Sequence, residues 1–394
     1  MFVCARIFPK LERKNGFSMK KEIFITDYNC VTPLGFSADE NWENLVKGKS
    51  GIQKTKVLEN LDEIYISKIN DELLQTRFKE KFQNGDFTRL EKMLLLSLQP
   101  LIKKHDVTSQ TALILSTTKG NISVLKNQNR LPESVYLSHL AKKIATYFGF
   151  TAQPIVVSNA CVSGVMAIAV AKNMILSGQY QDAFVLAGDE ISEFVVSGFN
   201  SFQAISKEPC QPYDKNRKGI NLGEAAAAVY ITFENSRKDF KVLGDSAIND
   251  ANHISGPSRT GEGLFRSVMN AMKESQLSAN DIQFISAHGT ATVYNDEMEA
   301  IAFNRAEMQN IPLHSLKGFY GHTLGAAGLL ESIIAMESAK HSLLIPSKNY
   351  RESGVSQELN IITENKPQKI QYILKTASGF GGCNAALVLE NLNF

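Results

Sequence analysis

Residues 155–178, IVVSNACVSGVMAIAVAKNMILSG, constrain the fold more than any other stretch of the chain. Residues 155–158 are a short β-branched run of the kind that makes a buried strand. Asn159, Ala160 and Cys161 break the period, and from Val162 the sequence is apolar on almost every face up to Gly178. That second half is long enough for a helix buried all round. Its small residues (Ser163, Gly164, Ala167, Ala169, Ala171) allow close packing on every side. Gly178 stands where a helix C′ glycine belongs. A strand–turn–helix with one cysteine at the turn puts a thiol at a helix N-terminus. Unsatisfied N–H groups and the helix dipole there favour a thiolate, so a depressed pKa is expected for Cys161. An isolated buried cysteine is more often structural than reactive. The rest of the chain overturns that default.

With 394 residues and 43% hydrophobic content, the chain can bury one large core or two halves that share a sheet system. Its net charge of +2 is well mixed along the sequence, which gives no electrostatic case for nucleic acid as a partner. No apolar run reaches membrane-spanning length without a charge, so a soluble chain is expected. The five cysteines (Cys4, Cys30, Cys161, Cys210, Cys383) are odd in number, scattered and without CxxC spacing. Neither a disulfide framework nor a zinc site follows, and a reducing cytoplasm fits best. Residues 1–18 are basic but lack the apolar core of a signal peptide, and Met19 looks like a second natural start, so an N-terminal extension is expected there.

Strands are expected at 22–26, 111–116, 155–158, 183–187 and 226–233, then at 241–243, 282–287, 370–378 and 385–390. Helices are expected at 37–46, with Ser37 and Glu40 as a capping box, and at 88–104, interrupted by Pro100. Further helices are expected at 134–148, 263–275, 296–309 and 325–340. Residues 51–85 are polar and mixed and carry no assignment. Alternating strands and helices mean an α/β fold with largely buried sheets, and no linker separates the halves.

Two histidines share the setting of the cysteine. His288-Gly289-Thr290 follows the strand at 282–287, and Lys317-Gly318-Phe319-Tyr320-Gly321-His322 precedes a small-residue helix. Near the C-terminus, SGFGGCNA (378–385) joins two strands. Each group lies at a strand-end turn, where side chains can converge on one cleft.

The combination of Asn159-Ala160-Cys161-Val162-Ser163-Gly164, His288-Gly289-Thr290-Ala291-Thr292, Lys317 with Gly321-His322-Thr323, and Gly379-Phe380-Gly381-Gly382 resembles the β-ketoacyl-[acyl carrier protein] synthases of the thiolase superfamily. VTPLG (31–35), NWENLVKGKSGI (41–52) and PYDKNRKGINLGEAAA (212–227) extend the likeness over nearly the whole chain. The resemblance implies a five-layered α-β-α-β-α fold made of two similar halves, 19–234 with the cysteine and 235–394 with the histidines. It implies a dimer, with itself or with a related subunit, and acyl carrier protein as partner. It implies a decarboxylating Claisen condensation that needs no cofactor or metal. Cys161 is then the nucleophile that holds the acyl group, and His288 and His322 donate hydrogen bonds to the enolate oxygen. Lys317 and Glu331 match positions that support the histidines. The backbone N–H groups of Cys161 and Phe380 match the oxyanion hole. Asp214, Arg217, Glu224 and Asp296 read as structural polar residues.

Thiolases use a second cysteine near the C-terminal glycine turn, but Cys383 falls where the synthases vary. Synthases primed by coenzyme A thioesters carry Asn where His322 stands, and chain-length-factor subunits lack the cysteine. A non-elongating partner or scaffold subunit is the alternative reading, and Cys161 argues against it. The chain departs from the family in a shorter 51–111 region, in the lysine-bearing turn Ser116-Thr117-Thr118-Lys119-Gly120, and in Val162. In these respects it resembles the shorter ketosynthases of aryl-polyene or flexirubin-type pigment clusters. Phe380, between Gly379 and Gly381, is expected to swing as a gate. Carrier proteins are acidic, so a basic docking patch is expected near the cleft mouth. Arg77, Lys79 and Lys81 are the densest candidate, extended by Arg89 and Lys92.

Overall fold

The computed structural model describes residues 21–57, 62–82, 85–126, 130–234, 239–251 and 256–394. The extension expected at 1–18, with Cys4, lies outside the described residues. Ten strands form one sheet in the order Leu313–His314, Phe284–Ser286, Tyr372–Gly379, Cys383–Asn391, Phe240–Asn249, Phe24–Val31, Ala225–Thr232, Asp182–Asp189, Thr111–Ser116, Ile155–Val157. Outward from the middle, each set of five takes its strands in the chain order first, fifth, fourth, second, third. The pairings run antiparallel, antiparallel, parallel, parallel on both sides. The two sets meet where Phe24 and Ile25 pair with Lys241 and Phe240.

Alternation along the strands builds five layers, because successive side chains leave opposite faces of a sheet. Ile114, Val185 and Val229 on one set, with Ile373, Ala377 and Leu387 on the other, face a shared middle layer. That layer holds the helices Ser163–Leu176 and Ala327–Lys340. The opposite face of the first set (Leu113, Leu115, Phe184, Leu186) packs on the outer helices Arg89–Ile102 and Leu137–Tyr147. On the second set, Ile285, Leu374 and Val388 pack on Glu262–Ser275 and Val293–Arg305. The fold is the expected α-β-α-β-α arrangement.

The two middle helices touch backbone to backbone. A Cβ at Gly164 would stand 2.5 Å from the Leu329 amide nitrogen, and one at Gly328 would stand 2.7 Å from that of Val165. Only glycine permits that approach, which brings the segments carrying Cys161 and His322 together.

Several local expectations change. Pro100 lies in the last turn of Arg89–Ile102 and does not interrupt it, since one missing amide there forfeits one bond. The Glu40 carboxylate takes the Phe36 N–H at 2.7 Å, so Ser37 caps its helix without the reciprocal half of a box. The unassigned 51–85 region holds the antiparallel strands Ile52–Thr55 and Ile64–Ser67 and the helix Asp71–Lys81. A helix at Glu193–Ser201, capped by Ser192, was not expected.

Candidate active site

The turn before Ser163–Leu176 is tied by one hydroxyl. Ser163 Oγ accepts the Asn159 N–H at 2.7 Å and donates to the Ala160 carbonyl at 2.6 Å. Ala160 takes the left-handed conformation (φ 44°), which turns Cys161 into the cleft. Gly379 lets the C-terminal glycine turn close on it, since a Cβ there would lie 3.0 Å from the Cys161 amide.

His322 approaches from the other set of strands, with Nε2 3.0 Å from Cys161 Sγ. Its Nδ1 accepts the Leu324 N–H at 3.3 Å. In the neutral ring the proton therefore sits on Nε2, and the imidazole donates toward sulfur. His288 follows the strand Phe284–Ser286, and its ring centroid is 5.2 Å from that of His322 at 81°. Its backbone N–H and that of Gly289 donate to the Glu299 carboxylate, and its carbonyl accepts from Lys317 Nζ at 3.0 Å. One ligand atom from each of Cys161, His288 and His322 lies within 4.8 Å of the other two. Burial, reinforced by the Lys317 ammonium, holds His288 well below the ordinary histidine value and His322 at about 3. Both rings are neutral near pH 7.

The depressed thiol pKa expected for Cys161 is corrected. Burial pushes the thiol up to about 12, against the opposing pull of Lys317, Lys119 and the Phe380 N–H. The helix terminus does little to offset that burial. The Val162 N–H bonds to the Asn159 carbonyl (3.3 Å) and the Ser163 N–H to that of Ala160 (3.4 Å), so these amides are not free for sulfur. At rest Cys161 is a thiol.

Glu331, on the second middle helix, is buried with Lys317 on one carboxylate oxygen and Lys375 on the other. Lys375 escaped the sequence reading; its signal was a lysine on the inward face of a strand shared with Ile373 and Ala377. The polar residues read as structural brace the surrounding loops. Asp296 accepts the Tyr213 and Thr290 N–H groups, Arg217 donates to the carbonyls of Asp214 and Gly354, Asp214 accepts from Arg351 and Glu352, and Glu224 binds Arg89.

A cavity of about 450 Å³ opens from Cys161, His288 and His322. Phe199, Phe202 and Phe380 line it, with Val293 and Tyr294. The Phe380 ring is partly exposed and leans on Phe199 and Phe202, with both centroid distances 5.6 Å.

Arg77 pairs with Glu40 and Glu80, Lys81 lines a separate groove with Asp27, Asp39 and Lys104, and none of Arg77, Lys79 and Lys81 lines the cavity. Arg89 is engaged with Glu224 and Asp71, and Lys92 with Gln75. Lys218, exposed and paired with Glu208, does line the cavity.

Residues 102–235 match the family model for the β-ketoacyl synthase N-terminal domain, and residues 240–351 match that for the C-terminal domain. Together the matches span more than half of the chain. A protein of Schizosaccharomyces pombe bearing the name of a mitochondrial 3-oxoacyl-[acyl-carrier-protein] synthase is 28% identical, over 94% of this chain and 99% of its own length. The 3-oxoacyl-[acyl-carrier-protein] synthase 2 of Staphylococcus aureus (strain COL) is 26% identical, over 95% and 99%. Among solved structures, the ketosynthase (ApeO) of Xenorhabdus doucetiae, in complex with its chain length factor (ApeC), superposes with a TM-score of 0.81 at 24% identity. The match covers 94% of this chain and 98% of that one. Among the described residues, no helix is long and apolar enough to cross a membrane.

Proposed function

From the premise that this chain belongs to the β-ketoacyl synthase family, we propose that it is an elongating 3-oxoacyl-[acyl carrier protein] synthase. In the first half-reaction, Cys161 sulfur attacks the thioester carbonyl of a carrier-bound acyl group. The new S–C bond replaces the old one, and the thiol proton leaves with the carrier's thiol. The backbone N–H groups of Cys161 and Phe380 hold the transient oxyanion. In the second, malonyl-carrier loses its carboxylate as carbon dioxide, and the electron pair moves onto the thioester oxygen. His288 and His322 donate to that enolate. Its carbon then attacks the acyl carbonyl on Cys161, the S–C bond breaks, and the thiolate takes up a proton.

The observation that carries this reading is the contact of Nε2 of His322 with Cys161 Sγ, in a tautomer that makes the ring a donor. A donor beside sulfur suits stabilisation of negative charge on the thiolate and then on the enolate.

The proposal extends to Lys317 and Glu331 as supports of the histidines and to Phe380 as gate, with 19–234 and 235–394 as the two halves. Its partners are acyl carrier protein and a second subunit, either a copy of this chain or a related one. A reducing compartment such as the cytoplasm suits the buried free thiols Cys30, Cys161, Cys210 and Cys383. Intact-mass analysis after mixing with acyl-carrier thioester tests the assignment. An acyl adduct is expected on wild type and absent from Cys161→Ala; an adduct that persists in the variant refutes the nucleophile.

A further inference from the structure

Lys375 projects from Tyr372–Gly379 into the middle layer, and its side chain is fully buried. Its Nζ donates to Glu331 Oε2 at 2.6 Å and to the carbonyls of Ser286 (3.1 Å) and Ala287 (3.4 Å). Lys317 takes Glu331 Oε1 and the next carbonyl along, that of His288. Three successive carbonyls leading into His288 are thus held by two ammonium groups, while the Glu299 carboxylate holds the amides of His288 and Gly289 on the other side.

Lys317 and Lys375 share one carboxylate in direct contact, that of Glu331, and the buried Glu299 carboxylate is the next negative charge to Lys375. Burying two ammonium groups on one carboxylate is costly, and packed apolar residues are often as stable in such a place. The charged and titratable groups around the two rings are Cys161 from the nucleophile turn, Lys317, Glu331 from its helix, Lys375 from its strand, and Glu299 at the His288 backbone. Asp189 acts on Cys161 from beyond the Gly325 amide.

We propose that Lys375 is a positioning residue for the condensation: it fixes the backbone that presents His288 and keeps a second ammonium group behind it, which favours the enolate. This rests on the reading of the cavity as a decarboxylating site. Lys375 touches no substrate and acts through His288. Its field also contributes, after burial and Lys317, to holding both rings neutral.

The test uses the full chain with Lys375→Met, Lys375→Gln and Lys375→Arg. The readouts are single-turnover acylation of Cys161, carbon dioxide release from malonyl-carrier across pH, and the unfolding midpoint. For Lys375→Met we expect carbon dioxide release to fall about tenfold, below the loss from deleting a direct oxyanion donor because the ammonium is one residue removed. Acylation should stay within about twofold, while the loss of one partner of a buried pair lowers the midpoint. The acid limb of the pH profile should move to higher pH, since removing a nearby cation makes the rings easier to protonate. Lys375→Gln should behave alike, and Lys375→Arg should recover most of the rate. Wild-type rate and pH profile in the Met and Gln variants would overturn the proposal. So would equal loss of both half-reactions with a lowered midpoint, or failure of both variants to fold, since either marks a purely structural lysine. Wild-type protein that is acylated but releases no carbon dioxide would refute the functional reading itself, and this proposal with it.

Discussion

Replacing Gly164 by alanine tests how far the middle helices control the site. Within a helix, Gly→Ala alone stabilises by about 0.5–1 kcal/mol through lost freedom of the unfolded chain. Here the added carbon would stand 2.5 Å from the Leu329 nitrogen, 3.0 Å from the Gly325 oxygen and 3.2 Å from the Gly328 carbonyl carbon. All three are backbone atoms and cannot rotate aside, so the helices must separate by about an ångström to restore ordinary contact. Overpacking costs about 1–3 kcal/mol, and a backbone clash belongs at the upper end. Set against the helical gain, the net loss is about 2 kcal/mol. The same separation draws His322 away from its 3.0 Å contact with Cys161, and a misplacement of about an ångström costs roughly 100-fold in rate. Gly198→Ala is the control. It lies in Glu193–Ser201 with nothing within 4 Å of the new carbon, and should stabilise by about 0.5–1 kcal/mol with activity intact. Urea unfolding and single-turnover acylation of both variants decide the matter. If Gly164→Ala is as stable and as active as Gly198→Ala, the backbone contact does not set the site geometry.

Four further outcomes are expected. Because the folded-state pKa of His322 lies below its unfolded value, its contribution to stability is present above about pH 6.5 and is lost as pH falls toward about 3. His322→Asn should therefore shrink the stability difference between pH 7 and pH 5 by about 2 kcal/mol, and an unchanged difference in urea titrations would refute a buried neutral ring. With Cys161 raised to about 12, alkylation by iodoacetamide should quicken about tenfold per pH unit up to pH 9, whereas a plateau near neutrality would mean a resting thiolate. Phe380→Ala keeps the backbone N–H and should retain acylation but shorten the life of the acyl-enzyme in water; an unchanged lifetime argues against a gate. Lys218→Glu should raise KM for carrier-bound substrate several-fold with little effect on a small thioester, because charge steering acts on encounter. The Arg77→Glu/Lys81→Glu pair should do so weakly, and the reverse ranking would return docking to that helix.

Much of this architecture was legible from local pattern. The β-branched run before Cys161 and the all-apolar helix after it mark the middle layer, because only burial on every side explains such a helix. Residues 51–85 resisted because Ile52–Thr55 reads IQKT, a strand whose pairing with Ile64–Ser67 is a tertiary fact. Glu193–Ser201 resisted because it combines Val195, Val196 and Gly198, poor helix formers held by packing. A lysine in a strand reads as solvent-facing, and the one mark of burial at Lys375 is that it shares a face with Ile373 and Ala377. The direction of the Cys161 shift was equally hidden, since it is set first by the burial of the thiol, which is a tertiary fact.

The strand order has a consequence for a chain emerging from the ribosome. In each set of five, the first strand joins the others only through the last, Ala225–Thr232 in one and Cys383–Asn391 in the other. Phe24–Val31 therefore has no partner from its own half until some two hundred later residues are synthesised, and its apolar edge waits in the meantime. Phe240–Asn249 waits in turn for Cys383–Asn391, a shorter interval. The thiol precedes both imidazoles in the chain, and the strand that completes the second set of five follows them. A product that stops before His288 therefore carries Cys161 without either imidazole.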